Sequence, residues 1–285
     1  MNPVKLALAR VLDITGLSTG FRHVYGMVLG SHLRALNYHD VPSTKAEAFE
    51  TQLRFYAQHF CNIGLTQLRS FLDGEFVPEK PGLLLSFDDG LRSHAEVVAP
   101  LLEKYGFTGW FMVPAGFVDA PEGEQARFAA ERSIQYAKEY GDARVAMSWD
   151  QLRELDATHV IGCHSTNHRR LEENLSADER ELEILASKRR FEVELDHPME
   201  TFCWVGGEEW SYSSSAAADI RAAGYRLSFM TNSYPILPGC DPLQLQRTNI
   251  EAAYPASLMR LNLCGIFDLL YRSKRGRVNA KTAAA

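Results

Sequence analysis

Cysteine is scarce in this chain. There are five among 285 residues, at positions 61, 163, 203, 240 and 264, an odd number with no CxxC pair. That pattern argues against a disulfide framework and for reduced, mostly packed thiols in a reducing compartment. Basic charge is not in excess either: 30 Lys and Arg stand against 36 Asp and Glu, a net charge of -6. The aromatics do not interleave with basic residues, so nucleic acid is excluded as the expected partner. No uninterrupted apolar run approaches the length of a membrane span. Arg10 and Asp13 break the N-terminal apolar stretch, and no clear small-residue cleavage site follows it. Repeats are missing, and the one biased stretch is a short tail, 281–285, expected to fray. Together these absences lead to the expectation of a cytoplasmic protein without a transmembrane segment. Its 46% hydrophobic content suits one barrel-sized domain or two small ones.

What the sequence does have is rhythm. Short apolar runs alternate with helical patterns almost throughout. Strands are expected at 33–38, 83–87, 109–113, 160–163, 201–205 and 225–230. Helices are expected at 45–60 (with Ser43 and Thr44 as cap candidates), 66–72, 93–105, 149–155, 177–195 and 214–223. Such alternation implies parallel strands joined by crossover helices, and six to eight units imply a closed or nearly closed barrel. Residues 121–144 interrupt the rhythm with a charged segment that reads as a long surface insertion beside the functional face.

Two of the apolar runs end in chemistry. Asp88-Asp89-Gly90 closes Leu83-Leu84-Leu85-Ser86-Phe87, and His164-Ser165-Thr166-Asn167-His168 closes Val160-Ile161-Gly162-Cys163. In parallel α/β folds the C-terminal strand ends converge on one face. Gly90 allows a turn that brings both acids to a cleft. Their mutual repulsion would be relieved by a cation. His164 and His168, spaced i,i+4, would share one face of a helical turn and suit a divalent metal. Taken singly, Asp-Asp-Gly is a common solvated turn and HxxxH a common surface or core pair. The shared context makes a metal site the stronger reading. One carboxylate and two imidazoles fit zinc, and also non-haem iron. The second acid favours hydrolysis, which needs a base for water.

These motifs carry a family resemblance. SFDDG at 86–90 resembles the first motif of the polysaccharide deacetylases (carbohydrate esterase family 4, the NodB homology domain), and HSTNH at 164–168 resembles the second. The likeness runs from about 33 to 250 and includes ALNYHDV, MSWDQLREL and DIRAAGYRLSF. It implies a distorted (β/α) barrel of about seven strands, with one divalent metal, most simply zinc, held by Asp89, His164 and His168. Asp88 would be the base. No histidine follows His197, so the usual late acid is missing. Asn37-Tyr38-His39-Asp40 resembles the N-terminal Tyr-His-Asp context of a permuted branch acting on poly-N-acetylglucosamine. That makes His39 the expected acid, with Asp40 either its orienting partner or a helix-approach residue. Arg247, in LQLQRTNI, resembles a late arginine of that branch that orients a carboxylate; a surface salt bridge is the plainer reading.

The third family motif departs from the pattern. In Phe202-Cys203-Trp204-Val205-Gly206-Gly207 the strand and the glycine remain, but the proline and the preceding aromatic do not. Gly206 retains a backbone N–H for an oxyanion. Trp204 would belong to the substrate loop, and Trp204, Trp210 and Tyr212 are candidates to stack on sugar; Trp204 equally suits the core. His23, His32, His59, His94, His159 and His197 read as structural or solvated, and Cys163 as a buried filler.

The implied activity is hydrolysis of N-acetyl groups on an amino-sugar glycan or a lipid-linked saccharide. An O-acetyl esterase, a non-catalytic glycan binder and an iron oxygenase stand as alternatives. The expected organisation is an N-terminal helical segment 1–32, a catalytic domain 33–260 and a C-terminal helix with a basic tail, 261–285. Val4, Leu6, Leu8, Val11, Leu12 and Ile14 form a greasy helical face. That face and the basic tail either pack on the domain or make peripheral contact with an anionic bilayer.

Overall fold

The computed structural model describes residues 3–141 and 143–283. Two helices, α1 (Pro3–Ile14) and α2 (Leu17–Leu29), precede β1 (Leu33–Tyr38). Then α3 (Ala46–His59), a short β2 (Cys61–Asn62) and α4 (Leu65–Leu72) lead to β3 (Gly82–Asp88). A π-helical turn, His94–Val98, opens the helix that continues as α5 (Ala99–Lys104). It is followed by β4 (Gly109–Val113), α6 (Ala115–Asp119), α7 (Glu122–Glu131) and α8 (Trp149–Asp156). After β5 (Val160–Cys163) comes a long helix. Its halves, α9 (Ala177–Glu181) and α10 (Ser187–Leu195), flank another π-turn. The remaining elements are β6 (Thr201–Cys203), α11 (Ser214–Ala222), β7 (Leu227–Met230), β8 (Leu245–Asn249), α12 (Ala256–Leu263), α13 (Ile266–Leu270) and α14 (Arg272–Thr282).

Seven parallel strands close into a barrel in the order β1-β8-β7-β6-β5-β4-β3, with β3 returning to β1. β2 adds two residues beside the start of β3. The wall is thin between β5 and β6, which share the single register pair Cys163↔Phe202. Strand parity divides the apolar residues. Leu83, Leu85 and Phe87 join the cluster under the helices with Phe49, Leu53 and Tyr56 of α3, whereas Leu84 joins Trp110, Met112 and Phe229. Asp88 shares the parity of Leu84 and Ser86, so it points into the barrel interior at its C-terminal end.

Several expectations change here. β8 was not expected as a strand, because Gln246, Arg247 and Thr248 are polar; all three are buried. Neither Ser43 nor Thr44 caps α3. A 3-10 turn, Ser43–Lys45, precedes that helix, and Ser43 instead bonds Glu139. The tail is not frayed at Lys281 and Thr282, which lie in α14; residues 284 and 285 lie outside the described residues. α12 runs across position 260, so no break in structure falls at that expected boundary. In the 121–144 segment, α7 and the following turn pack Ala129 and Ile134 on Leu91 and Phe117.

Candidate active site

The strand ends bring together what the sequence holds far apart. Tyr38 pairs with Phe87, so His39 and Asp88 emerge side by side. Met112 links the levels of Asp88 and Gly162, placing His164 just above them. Arg247 begins level with Leu84, since Ala35 pairs with both, and its long side chain runs up the interior to Asp88. Asp89 takes a left-handed conformation, φ 79, followed by Gly90 at φ 65. A Cβ on Gly90 would lie 2.6 Å from Val113 Cγ1, so this turn requires glycine twice over. The two acids therefore diverge in role: Asp88 faces inward and Asp89 faces the histidines.

Asp88 is buried and forms a bidentate pair with Arg247, Nη1 donating to Oδ1 at 2.6 Å and Nη2 to Oδ2 at 2.8 Å. Arg247 is itself fully buried and also donates to Ser86 Oγ at 3.0 Å. Burial pushes the Asp88 carboxyl up, but the Arg247 guanidinium and then His164 outweigh it and hold the group below the usual carboxylate range. Arg247 is thus a carboxylate-orienting residue and not a surface pair.

Asp89 Oδ1 lies 3.0 Å from His168 Nε2 and 3.9 Å from His164 Nε2. The imidazoles are not on a helical turn, contrary to the expectation for i,i+4 spacing. They sit on an irregular loop in which Ser165 (φ 60) and His168 (φ 52) are left-handed, and the ring centroids are 5.0 Å apart. Each ring is held from behind. His164 Nδ1 donates to the Cys203 carbonyl at 3.0 Å, and His168 Nδ1 donates to the Arg132 carbonyl at 2.8 Å. Those bonds turn both Nε2 atoms toward Asp89. The Asp89 Oδ1 atom is buried with no hydrogen-bond donor. Asp89 Oδ1 and the two Nε2 atoms converge on one point and suit a cation. Burial pulls His168 down, but the Asp89 carboxylate 3.0 Å away outweighs it and holds the ring above its usual value, so a cation there would displace a proton. Burial lowers His164 to about 4, consistent with a neutral ring available as a ligand. A second cluster, Asp88, His164 and Cys203, also converges. It is the poorer set, because Arg247 occupies both Asp88 oxygens and burial pushes the Cys203 thiol far up.

His39 is exposed at the mouth of a cleft of about 650 Å³ that Asp89, Ser133, Tyr136 and Glu251 also line. Asp40 does not orient His39. Asp40 Oδ1 accepts from Ser93 Oγ at 2.8 Å and Oδ2 from the Ala137 amide at 2.6 Å, tying the 121–144 segment to the start of the α5 helix. The missed partner is His94. It is fully buried, stacks near Phe111, and donates from Nε2 to the His39 carbonyl at 2.9 Å. That contact uses a backbone atom, which no residue pattern announces.

Trp204 is corrected: it is 1% exposed, packed between Phe202 and Tyr212, and unavailable to sugar. Tyr212 is buried as well. Trp210 alone of the three is open, 52% exposed, with Arg170 over its ring beside a groove that reaches His168. Gly206 has φ 81, and a side chain there would strike Glu208, Arg170 and Ser211. The backbone therefore stays bare at that point in the loop.

With this geometry described, comparison with known proteins is informative. The family model for polysaccharide deacetylase matches residues 77–243, and the chain belongs to that family. Solved structures share its fold. The Streptococcus pyogenes deacetylase PplD in complex with acetate has a TM-score of 0.64 at 19% identity, covering 81% of this chain and 97% of its own. IcaB from Ammonifex degensii has a TM-score of 0.63 at 20% identity, covering 82% and 96%. The de-N-acetylase from Aggregatibacter actinomycetemcomitans has a TM-score of 0.65 at 18% identity, covering 81% and 99%. A search of curated proteins finds no match. His39 and Arg247 both fall outside the matched family stretch.

Proposed function

We propose that this chain is a metal-dependent deacetylase that removes N-acetyl groups from an amino-sugar glycan and releases acetate. The observation that carries the reading is the division of labour at one barrel mouth. Asp89, His164 and His168 converge on one point, while Asp88, locked by Arg247, stands beside them below an open cleft. Asp89, His164 and His168 would hold one divalent ion, zinc being the simplest fit to that donor set. When bound, such an ion supplies Lewis acidity toward the acetyl carbonyl and toward water.

The rest falls to the chain. Asp88 accepts a proton from the attacking water, its lone pairs aimed by Arg247. The N–H of Gly206 is the proposed donor to the developing oxyanion. His39 protonates the nitrogen as the C–N bond breaks, since an amide anion does not leave at neutral pH. One water is consumed; acetate and a free amine are produced. Trp210 is the proposed platform for a flanking sugar ring. We place the reaction in the cytoplasm on a lipid-linked or soluble saccharide; five cysteines, none of them disulfide-bonded, support that compartment.

The test is acetate release from matched N-acetylated and O-acetylated oligosaccharides, with and without a chelator. Chelator-sensitive release from the amides is expected. Release from esters alone would replace the reading with an O-acetyl esterase. Binding without turnover at full metal occupancy would replace it with a glycan-binding protein.

A further inference from the structure

The N-terminal helices are built the wrong way round for a helix that faces only water. On α2 the residues turned toward the domain are Ser18, 3% exposed, Arg22, whose guanidinium lies over Phe55 and Phe60, and Tyr25, against Gly265. Its outward stripe, at i, i+4, i+7 and i+11, is Leu17, Phe21, Val24 and Val28, 58%, 40%, 56% and 79% exposed. α1 contributes Leu8, Val11 and Ile14 on its outer side, 50%, 57% and 86% exposed, while Ala9 packs inward on Leu258 and Leu261 of α12. Scattered exposed apolar residues are ordinary, but a continuous apolar face on two adjacent helices marks a contact surface. An apolar cavity of about 470 Å³ opens between α2 and α13, lined by Leu17, Phe21, Val24 and Ile266. Leu270, on the same short helix as Ile266, is 70% exposed.

Charge decides what covers this face. Residues 1–32 and 261–285 carry eight basic residues against two acidic ones, while the remaining 33–260 carries 22 against 34. Both acids of the terminal segments are already engaged, Asp13 by Arg260 and Asp268 by Arg34. Arg10 and Arg272 are exposed, whereas the α14 cations Lys274, Arg277 and Lys281 are matched by Glu208 and Glu209 at the 207–212 loop. The terminal segments therefore add exposed Arg10 and Arg272 to the apolar face of an otherwise acidic protein. A second copy docked through this face would set like charge against like. We infer that α1 and α2 are a membrane-docking element that lies in the interface of an anionic bilayer, with its apolar face among the acyl chains and its basic rim at the headgroups. No helix among the described residues is long and apolar enough to cross a membrane, so the element rests on the bilayer.

The inference is independent of the catalytic reading. It is tested by co-sedimentation of the full chain with phosphatidylcholine vesicles with and without phosphatidylglycerol, at low and high salt. Binding is expected to the anionic vesicles and to weaken with salt. The triple variant Phe21→Ser, Val24→Ser, Val28→Ser is expected to bind at least about tenfold more weakly. Because these side chains are exposed, its circular dichroism and melting temperature should match the parent. Arg10→Glu with Arg272→Glu should reduce the preference for anionic lipid while leaving the fold intact. Equal binding by parent and triple variant, or no binding by the parent, would overturn the inference. So would a concentration-dependent dimer, seen by light scattering, that the triple substitution abolishes.

Discussion

Arg247 shows how a single side chain decides the state of another. Asp88 is buried, and the guanidinium is the chief compensation for its charge inside the barrel. Arg247→Ala is therefore expected to destabilise the fold by about 3–5 kcal/mol, the usual cost of orphaning one member of a buried pair, read from urea unfolding midpoints. Asp88→Asn is expected to retain metal and lose about two to four orders of magnitude in rate. Metal analysis beside a turnover assay separates the outcomes. If metal is lost and activity returns at high metal, the two aspartates have exchanged roles. His39→Ala is expected to cripple amide hydrolysis and spare an activated aryl acetate, whose leaving group hardly needs a proton. Equal losses on both substrates would remove His39 from the reaction. At this scale the motif residues were legible because each follows an apolar run that forces it onto the barrel mouth. His94 and the Cys203 carbonyl were not legible, because they act on or through backbone atoms. Trp204 was open to misreading because an aromatic just past a strand end suits a substrate loop and a core equally well.

Among the elements, β4 and β5 end where their apolar runs end, since strands buried on both faces read as continuous hydrophobic stretches. β8 escaped because its polar residues are satisfied by other side chains, Arg247 inside the barrel by Ser86 and Gln246 on the opposite face by Asn279 of α14; both are core residues in all but chemistry. The histidine loop followed a different rule from the one its spacing suggested. Two left-handed residues do what a helical turn was expected to do. His164→Ala should remove most of the bound metal, as read by elemental analysis after dialysis; stoichiometric metal in that variant would refute the ligand set. The 121–144 segment is held by Asp40, so Asp40→Ala should release it. Faster amide hydrogen exchange at Ala137 and its neighbours, with metal content unchanged, is the expected result, and unaltered exchange would show that the hydrophobic packing of Ile134 suffices alone.

The whole molecule has two working poles of different character. Its catalytic mouth gathers buried acids and imidazoles under a polar cleft; its N-terminal helices gather exposed apolar residues with exposed Arg10 beside them. The barrel was legible from alternation alone, but the closure was not. Closure depends on β8 bridging β7 and β1, and β8 has the most polar composition of the seven wall strands. The outward stripe of α2 was likewise hidden in the sequence, because periodicity reveals that a helix has an apolar side and not which way that side is turned.

The carbonyl of Arg132 belongs to the segment bordering the cleft, yet it fixes the ring of His168. A saccharide that shifts this segment must also shift the ring of His168, a proposed metal ligand. Occupancy of the cleft and retention of the ion are then thermodynamically linked, and each alters the affinity for the other by the same factor. The rate at which a chelator strips the protein should therefore change when glycan is present. That rate reports substrate engagement without any bond being broken.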